Sequence, residues 1–269
     1  MVRLTDTHCH LNLNQFEPDL DLVLRRAFDK GVERILIPGI DLETSRRAVE
    51  LADIHPELFA AIGVLPSYAN SWNSATIKEI QSLSRHPKVA AIGEIGLDYY
   101  RTYASPQEQK PVLLAQLELA AELQLPIVVH QREAMPDLWP MLEKWHAQLV
   151  HNTKGLANRP GVLHAYEGTA EYAEKAAALN FQFGLGGSIT YPTAVQREEM
   201  FQQLPLQNIL IETDAPYLTP QPYRGTRNEP AYVEVIIERL AKIRKQSVEE
   251  IARITSENAD RLFLWRAPR

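Results

Sequence analysis

Residues 2–12 read VRLTDTHCHLN and place two histidines one residue apart at the end of a predicted buried strand. In an extended chain, residues two apart face the same side, so His8 and His10 point together while Cys9 points away. Two ring nitrogens on one face can bind one metal ion. The alternative is a packed core histidine beside a loop histidine. The place of this pair in the predicted fold favours the metal.

Short β-branched runs alternate with longer amphipathic segments along the chain. The predicted strands cover residues 2–8, 33–39, 58–64, 88–94, 126–130, 161–164, 181–186 and 208–213. Helical candidates include 20–30, 43–54, 107–123 and 168–180, and residues 247–264 add one or two helical segments to the outer ring. Most strands are nearly continuous hydrophobic runs, as in a parallel sheet covered by helices. This order predicts an α/β fold, a (β/α)8 TIM barrel of the metal-dependent hydrolase type with residues 1–269 as one domain; an open doubly wound sheet is the alternative.

Six side chains that can bind metals follow predicted strands 1, 4, 5, 6 and 8. They are His8, His10, Glu94, His130, His164 and Asp214. In a (β/α)8 barrel the loops after the strands converge at one rim, where active sites are built. We therefore predict that these six residues meet at the rim and act as metal ligands.

Three further polar residues lie near this predicted rim. Asp98 could act at the site or cap the turn that follows it. Glu212 and Asp214 both leave the eighth strand, and we assign the catalytic role to Asp214 because it lies further out, with Glu212 in support. Arg132 could hold a phosphate or carboxylate with two nitrogens, or form a surface ion pair with a nearby acidic residue.

Four imidazoles and two carboxylates are more than one zinc-like ion requires. With Glu94 as a bridge, they divide into two sites of about three protein ligands each. Two divalent ions, typically ~3.5–4 Å apart, stabilise the attacking and leaving oxygens of a hydrolysis and activate a water molecule. Asp214 would orient that water and accept its proton, with Glu94 as the second catalytic residue. We expect two divalent ions (zinc, manganese, nickel, iron or magnesium), and the imidazoles favour a transition metal over magnesium.

The composition, 45% hydrophobic and 23% charged, is that of a soluble globular protein. The net charge of −6 and the absence of a basic stripe argue against nucleic-acid binding by bulk electrostatics, so any affinity for a polyanion must be local. The single cysteine, Cys9, excludes an intrachain disulfide and fits a reducing compartment. With no recognisable signal peptide or membrane-length apolar run, we expect a cytoplasmic protein without a membrane or an obligate protein partner.

Six ordered blocks of sequence extend this interpretation. They read TDTHCHLN, GEIGLDYY, VVHQREA, LHAYEG, ETDAPYLTP and RGTRNEPAYV. Together they resemble the TatD family of metal-dependent hydrolases across nearly the whole chain. The resemblance implies an amidohydrolase-type barrel and a divalent-metal-dependent deoxyribonuclease or 3′→5′ exonuclease that acts on DNA ends or single strands. It makes the same six residues the metal ligands. It also implies phosphate-binding or loop-ordering roles, with an ion-paired loop as the alternative, for Arg132, Arg224, Arg227 and Asn228.

Three segments depart from the family pattern. Leu65 and Ser67 stand where many relatives have histidines after the third strand, and Ala165 and Tyr166 replace a frequent Cys-Phe pair. Residues 146–160 are longer than usual, and we predict that they form a lid. These changes leave the metal site intact and concern the substrate. One alternative is therefore a metal-dependent acyl hydrolase acting on an amide, a lactone or an ester, including aminoacyl-tRNA. Another is a non-catalytic, metal-stabilised module that binds nucleic acid or protein.

Overall fold

Eight parallel strands form the centre of the computed structural model, which describes residues 2–265. They are β1 (Leu4–Asp6), β2 (Val32–Pro38), β3 (Leu58–Ile62), β4 (Val89–Asp98), β5 (Ile127–Arg132), β6 (Gly161–Leu163), β7 (Gln182–Leu185) and β8 (Ile209–Ile211). Neighbouring strands pair in chain order. Between β8 and β1, the Thr7 amide donates to the Ile211 carbonyl at 3.0 Å. The predicted (β/α)8 barrel is confirmed.

Helices surround these strands. They are α1 (Leu20–Asp29), α2 (Leu42–Ile54), α3 (Ser74–Leu83), α4 (Pro106–Leu123), α5 (Met135–Asn152), α6 (Lys154–Ala157), α7 (Ala170–Ala178), α8 (Val195–Gln203), α9 (Val233–Arg244) and α10 (Val248–Phe263). Asp41 begins α2 by accepting the Thr44 amide at 2.8 Å, and Asn73 caps α3 in the same way. None of the helices within residues 2–265 combines the length and the apolar character needed to cross a lipid bilayer.

The alternation of side chains along the strands produces two apolar layers. The layer inside the barrel includes Leu36, Phe59, Ala61, Val128, Val162 and Leu210. The layer between strands and helices includes Ile35, Ile37, Ile62, Ile127, Val129 and Ile211. Because the period is two, His130 and His164 follow Val128 and Val162 on the same face. Their rings therefore point toward the barrel axis, above the apolar interior.

Helix α10 is one continuous helix, where the sequence allowed one or two segments. Its last turns place Ala259, Leu262 and Phe263 against the interior layer. The residues expected in the outer ring therefore also close the amino-terminal end of the barrel, opposite the rim that carries the histidines.

Residues 146–160 lie at the amino-terminal end of the barrel. They form the end of α5, all of α6 and the connection into Gly161, the first residue of β6. His146 is buried there, and its Nε2 donates to the Ala157 carbonyl at 3.0 Å. The predicted lid is wrong, because a chain entering a parallel strand approaches the end remote from the carboxyl-terminal rim.

Strand β4 continues past its predicted end at residue 94. Its pairing with β5 shifts register between Ile92 and Ile95, and it then continues until Asp98 pairs with Arg132. Glu94 therefore lies inside the strand at the register shift, not after it. The strand backbone, rather than a loop, fixes the position of this carboxylate.

A substitution at Gly96 tests whether the barrel requires the close contact between β4 and β5. The φ of Gly96 is +146°, and a Cβ there would collide with the His130 carbonyl oxygen. We expect Gly96→Ala to lower the free energy of unfolding by about 2–4 kcal/mol, because it adds backbone strain and forces β5 outward. Gly155→Ala is the control, since a Cβ at that position would meet nothing within 4 Å. Thermal unfolding of the two variants gives the comparison, and equal midpoints would show that the close approach is not required.

Candidate metal centre

Four histidines surround the Glu94 carboxylate at the carboxyl-terminal rim. Glu94 Oε1 lies 2.9 Å from His130 Nδ1 and 2.9 Å from His164 Nε2. Glu94 Oε2 lies 3.4 Å from His8 Nε2 and 3.6 Å from His10 Nε2. The carboxylate is almost completely buried. Each of its oxygens faces a different pair of imidazoles, which is the arrangement that a bridging ligand needs.

Asp214 joins the cluster from the loop after β8. Its Oδ1 lies 3.7 Å from His8 Nε2 and 3.5 Å from His10 Nε2. Its backbone has a φ of +56°, and its carbonyl accepts the Tyr217 amide at 2.8 Å, which fixes the turn. The structure thus brings together all six residues that the sequence selected.

Donor atoms in this cluster have the spacing of a metal site. Three overlapping groups have their donor atoms within 4.8 Å of one another: His8, His10 and Glu94; Glu94, His130 and His164; His8, His164 and Asp214. The Nε2 atoms of His8 and His10 are 3.2 Å apart. Their Nδ1 atoms are buried without a hydrogen-bond partner among residues 2–265. Imidazole nitrogens and carboxylate oxygens in this arrangement fit a divalent transition metal.

Burial and mutual attraction act in opposite directions on the charges of the cluster. Burial raises the pKa of Glu94, but the neighbouring histidines, His164 first, outweigh it and hold this pKa well below its usual value. Burial lowers the pKa of His164, yet Glu94 and Glu212 hold it well above its usual value. Burial and the charge of His164 lower the pKa of His8. The site therefore holds an ionised carboxylate, which needs positive charge beside it.

Asp98 has both of the roles that the sequence left open. Its Oδ1 accepts the amides of Tyr100 at 3.0 Å and Arg101 at 2.8 Å, which caps the turn after β4. Its Oδ2 lies 3.0 Å from His130 Nε2. A carboxylate at this nitrogen holds the ring with Nδ1 directed toward Glu94, as such carboxylates commonly do for metal-binding histidines.

Two other buried carboxylates fix the backbone around the cluster. Glu212 accepts a hydrogen bond from the Ala165 amide and lies 3.6 Å from His164 Nδ1. Asp6, which the sequence interpretation missed, accepts the His8 amide at 3.3 Å. Burial raises the pKa of Asp6 to about 7. A signal was present, because the period-two pattern of β1 places Asp6 on the same face as His8.

A cavity of about 800 Å³ opens above the cluster. Among the lining residues that the sequence interpretation missed are Tyr68, Arg101, Tyr103 and Tyr217. The available signal was the run YYRTY at residues 99–103, a tyrosine-rich stretch directly after β4. A second cavity, of about 550 Å³, lies between α7 and α8 at the opposite end of the barrel and is lined by none of the six clustered residues.

Comparison with known proteins gives a match over nearly the whole chain. The family profile described as TatD related DNase matches residues 5–264. The chain belongs to the TatD family. The protein named "Uncharacterized metal-dependent hydrolase YabD" of Bacillus subtilis is 41% identical over 260 residues, which cover 97% of this chain and 98% of YabD. The 3′-5′ ssDNA/RNA exonuclease TatD of Escherichia coli K12 is 36% identical over 265 residues, which cover 96% of this chain and 98% of that protein.

A solved structure supports the same assignment. The crystal structure of YJJV, a TatD homologue from Escherichia coli K12, superimposes with a TM-score of 0.89 at 31% identity and covers 98% of both chains. The family resemblance inferred from the six sequence blocks is confirmed. As a TatD-family protein, this chain is a metal-dependent hydrolase, which also confirms the predicted enzyme class.

Arg132 of this TatD-family barrel lies beside the large cavity. Its guanidinium stacks on Tyr100, with Cζ 3.8 Å from the ring centroid. Asp137, an acidic residue near it in sequence, instead pairs with Lys110 at 2.8 Å. This position suits the phosphate-binding role, which stays a prediction.

The two arginines of the RGTRNEP segment lie elsewhere. Arg227 donates to both carboxylate oxygens of Asp19, at 2.8 and 2.7 Å. Arg224 lies over the Tyr191 ring, with Cζ 4.2 Å from the centroid. The Arg227 contacts favour the loop-ordering alternative, and phosphate binding by either residue stays a prediction.

Asn228 offers a test of loop ordering in this family member. It is fully buried, and its Nδ2 donates to the Thr213 carbonyl at 2.8 Å and the Tyr217 carbonyl at 2.5 Å. We expect Asn228→Ala to lower the free energy of unfolding by about 2–4 kcal/mol, because it leaves two carbonyls unpaired on either side of Asp214. Denaturant unfolding measures this loss. A variant with wild-type stability but weakened phosphate binding would favour the phosphate role instead.

Proposed function

We propose that this hydrolase cleaves phosphodiester bonds at the 3′ ends of single-stranded DNA, with two divalent ions held by the six clustered residues. The observation that carries the proposal is the buried Glu94 carboxylate, whose oxygens face separate histidine pairs. A shared carboxylate suits paired ions at the spacing of two-metal hydrolases. The name of the E. coli relative, a 3′-5′ ssDNA/RNA exonuclease, supports the substrate and the polarity.

The ligands divide by the side of Glu94 on which they lie. His8, His10 and Asp214 would hold one ion with Glu94 Oε2, and His130 and His164 would hold the other with Glu94 Oε1. Such ions, when bound, lower the pKa of a water molecule and offset phosphate charge. The imidazole-rich donors favour zinc, manganese, iron or nickel over magnesium.

The remaining work falls to side chains of the chain itself. Asp214 would orient the attacking water and accept its proton, a role that its greater exposure supports, since its side chain is 13% exposed and that of Glu94 is 4% exposed. Asp98 would hold the ring of His130 in position, while Glu212 lies 3.6 Å from Nδ1 of His164. Arg132 would contact a substrate phosphate from the cavity wall.

Local charge reconciles this substrate with an acidic protein. The whole chain carries a net charge of −6. Two divalent ions would bring four positive charges, and the cavity carboxylates of Glu94, Asp98 and Asp214 would offset three of them. Arg101 and Arg132 line the same cavity and add positive charge, so a phosphate would be attracted there although the protein as a whole is acidic.

Asp214→Asn tests the catalytic assignment. We expect kcat/KM for a single-stranded oligonucleotide labelled at its 5′ end to fall by about 10²–10⁴-fold, because the amide cannot accept the proton of water. Asp137→Asn, in an exposed acid outside the cavity, is the matched control and should retain activity. Thermal unfolding and the metal content of both variants separate loss of the proton acceptor from loss of the fold or of a bound ion.

A substrate panel distinguishes the competing activities. Metal-loaded protein that hydrolyses carboxylic esters or aminoacyl-tRNA but no phosphodiester would replace the proposal with acyl hydrolysis. Binding of nucleic acid without hydrolysis of any substrate, and unchanged by Asp214→Asn, would indicate a non-catalytic module. Oligonucleotides blocked at the 3′ or the 5′ end report the polarity.

Metal analysis tests the two-ion arrangement. We expect two ions per chain after removal by a chelator and reloading with zinc or manganese, measured by plasma mass spectrometry. Asp98→Asn should raise the dissociation constant of one of the two ions by about 10–100-fold, because it removes the carboxylate that orients His130. Asp137→Asn is again the control. One ion per wild-type chain, or equal loss of both in Asp98→Asn, would contradict the assignment.

A further inference from the structure

Three tyrosines project into the cavity above the cluster. Tyr68 is 42% exposed, Tyr103 is 69% exposed and Tyr217 is 51% exposed. Tyr68 follows β3, Tyr103 follows β4 and Tyr217 follows β8. Large aromatic rings are rarely left exposed in a group around a cavity without a ligand to cover them.

The β3 and β4 loops that carry two of these rings are connected. Asn70 Nδ2 donates to the Tyr103 carbonyl at 3.4 Å. The third ring lies next to the reacting groups, because the Tyr217 ring centroid is 6.1 Å from that of His10. Arg101 and Tyr217 line the same cavity.

Arg101 is the cation of this group. Its backbone amide is fixed by Asp98 at 2.8 Å, but its Nε lies 4.0 Å from the nearer Asp98 oxygen. Within residues 2–265 its guanidinium makes no hydrogen bond, and its side chain is 53% exposed. A guanidinium held at its base and unpaired at its tip is well suited to bind a phosphate.

We propose that Tyr217, Tyr68 and Tyr103 stack the unpaired bases of the single-stranded substrate while Arg101 holds its backbone. The proposal rests on the proposed function, since it names the groups that recognise that substrate. Tyr217 stacks the base next to the cleaved bond, and the other two rings stack bases further along. The bases of a duplex are already stacked within the helix and present no free face to these rings.

Binding to the Asp214→Asn protein, loaded with metal, tests the stacking role without cleavage. The probes are a fluorescent single-stranded oligonucleotide, the same strand annealed to its complement, and an abasic strand of equal length, all measured by anisotropy. We expect Tyr103→Ala and Tyr217→Ala each to raise Kd for the base-containing strand by about 5–100-fold. The Phe variants should stay within about twofold of the parent, because phenylalanine keeps the stacking face. Affinity for the abasic strand should change little.

Arg101→Gln tests the backbone contact separately. The slope of log Kd against log salt should fall by about 0.7, the value for one phosphate contact to a single strand. Tyr172→Ala is the matched control for the tyrosine-to-alanine variants. Because Tyr172 lies on α7 and outside the cavity, this change should leave every affinity unchanged.

The outcomes separate the inference from the proposed function. Failure of the wild-type protein to cleave any phosphodiester would refute the proposed function. The binding comparison would still measure how much the tyrosines contribute to the affinity for a single strand. The inference is overturned by equal affinity for duplex and single strand, by equal losses for base-containing and abasic strands, or by no binding of the single strand. The inference is supported if the alanine variants lose affinity for the base-containing single strand and the phenylalanine variants keep it.

Discussion

The carboxylate of Glu94 lies between two pairs of imidazoles, and the geometry of the whole rim depends on it. A buried, ionised carboxylate is costly unless positive charge lies beside both oxygens. His130 and His164 face one oxygen, while His8 and His10 face the other. The register shift in β4 places Glu94 at this point within the strand. The positions of the four imidazole rings and the pairing of β4 with β5 therefore both depend on where Glu94 lies.

Closure of the barrel supplies the last member of the cluster. Asp214 is more than two hundred residues from His8 in sequence, yet its amide donates to the His8 carbonyl at 2.8 Å. This hydrogen bond joins the chain after β8 to the chain after β1. Because the backbone links these two segments directly, the position of the Asp214 carboxylate does not depend on a flexible loop. A proton acceptor held by the backbone needs little reorganisation when substrate binds.

Period two and the convergence of parallel strands were enough to predict the six clustered residues and the barrel. Both rules depend on local backbone geometry, so they do not require knowledge of contacts between distant segments. The lid prediction for residues 146–160 failed because it ignored which end of β6 that segment enters. The role of Arg227 could not be read from sequence, since it depends on Asp19, which lies 208 positions away. The role of Asp98 stayed open because its two carboxylate oxygens make different contacts: one accepts amides of the turn after β4, and the other lies beside His130.

The pairing of each arginine indicates where a phosphate chain can pass. Arg227 would have to give up two short hydrogen bonds to Asp19 before it could bind an anion. Arg101 would lose only a 4.0 Å contact with Asp98. Arg132 stacks on the Tyr100 ring, and this stacking leaves the guanidinium nitrogens able to donate to a phosphate. Since a bidentate ion pair competes directly with phosphate for the same donors, the arginines that line the cavity within residues 2–265, Arg101 and Arg132, can bind phosphate more readily than Arg227 can. A polyanionic strand should therefore place its phosphates beside Arg101 and Arg132, on the side of the rim that carries Glu94 and His130.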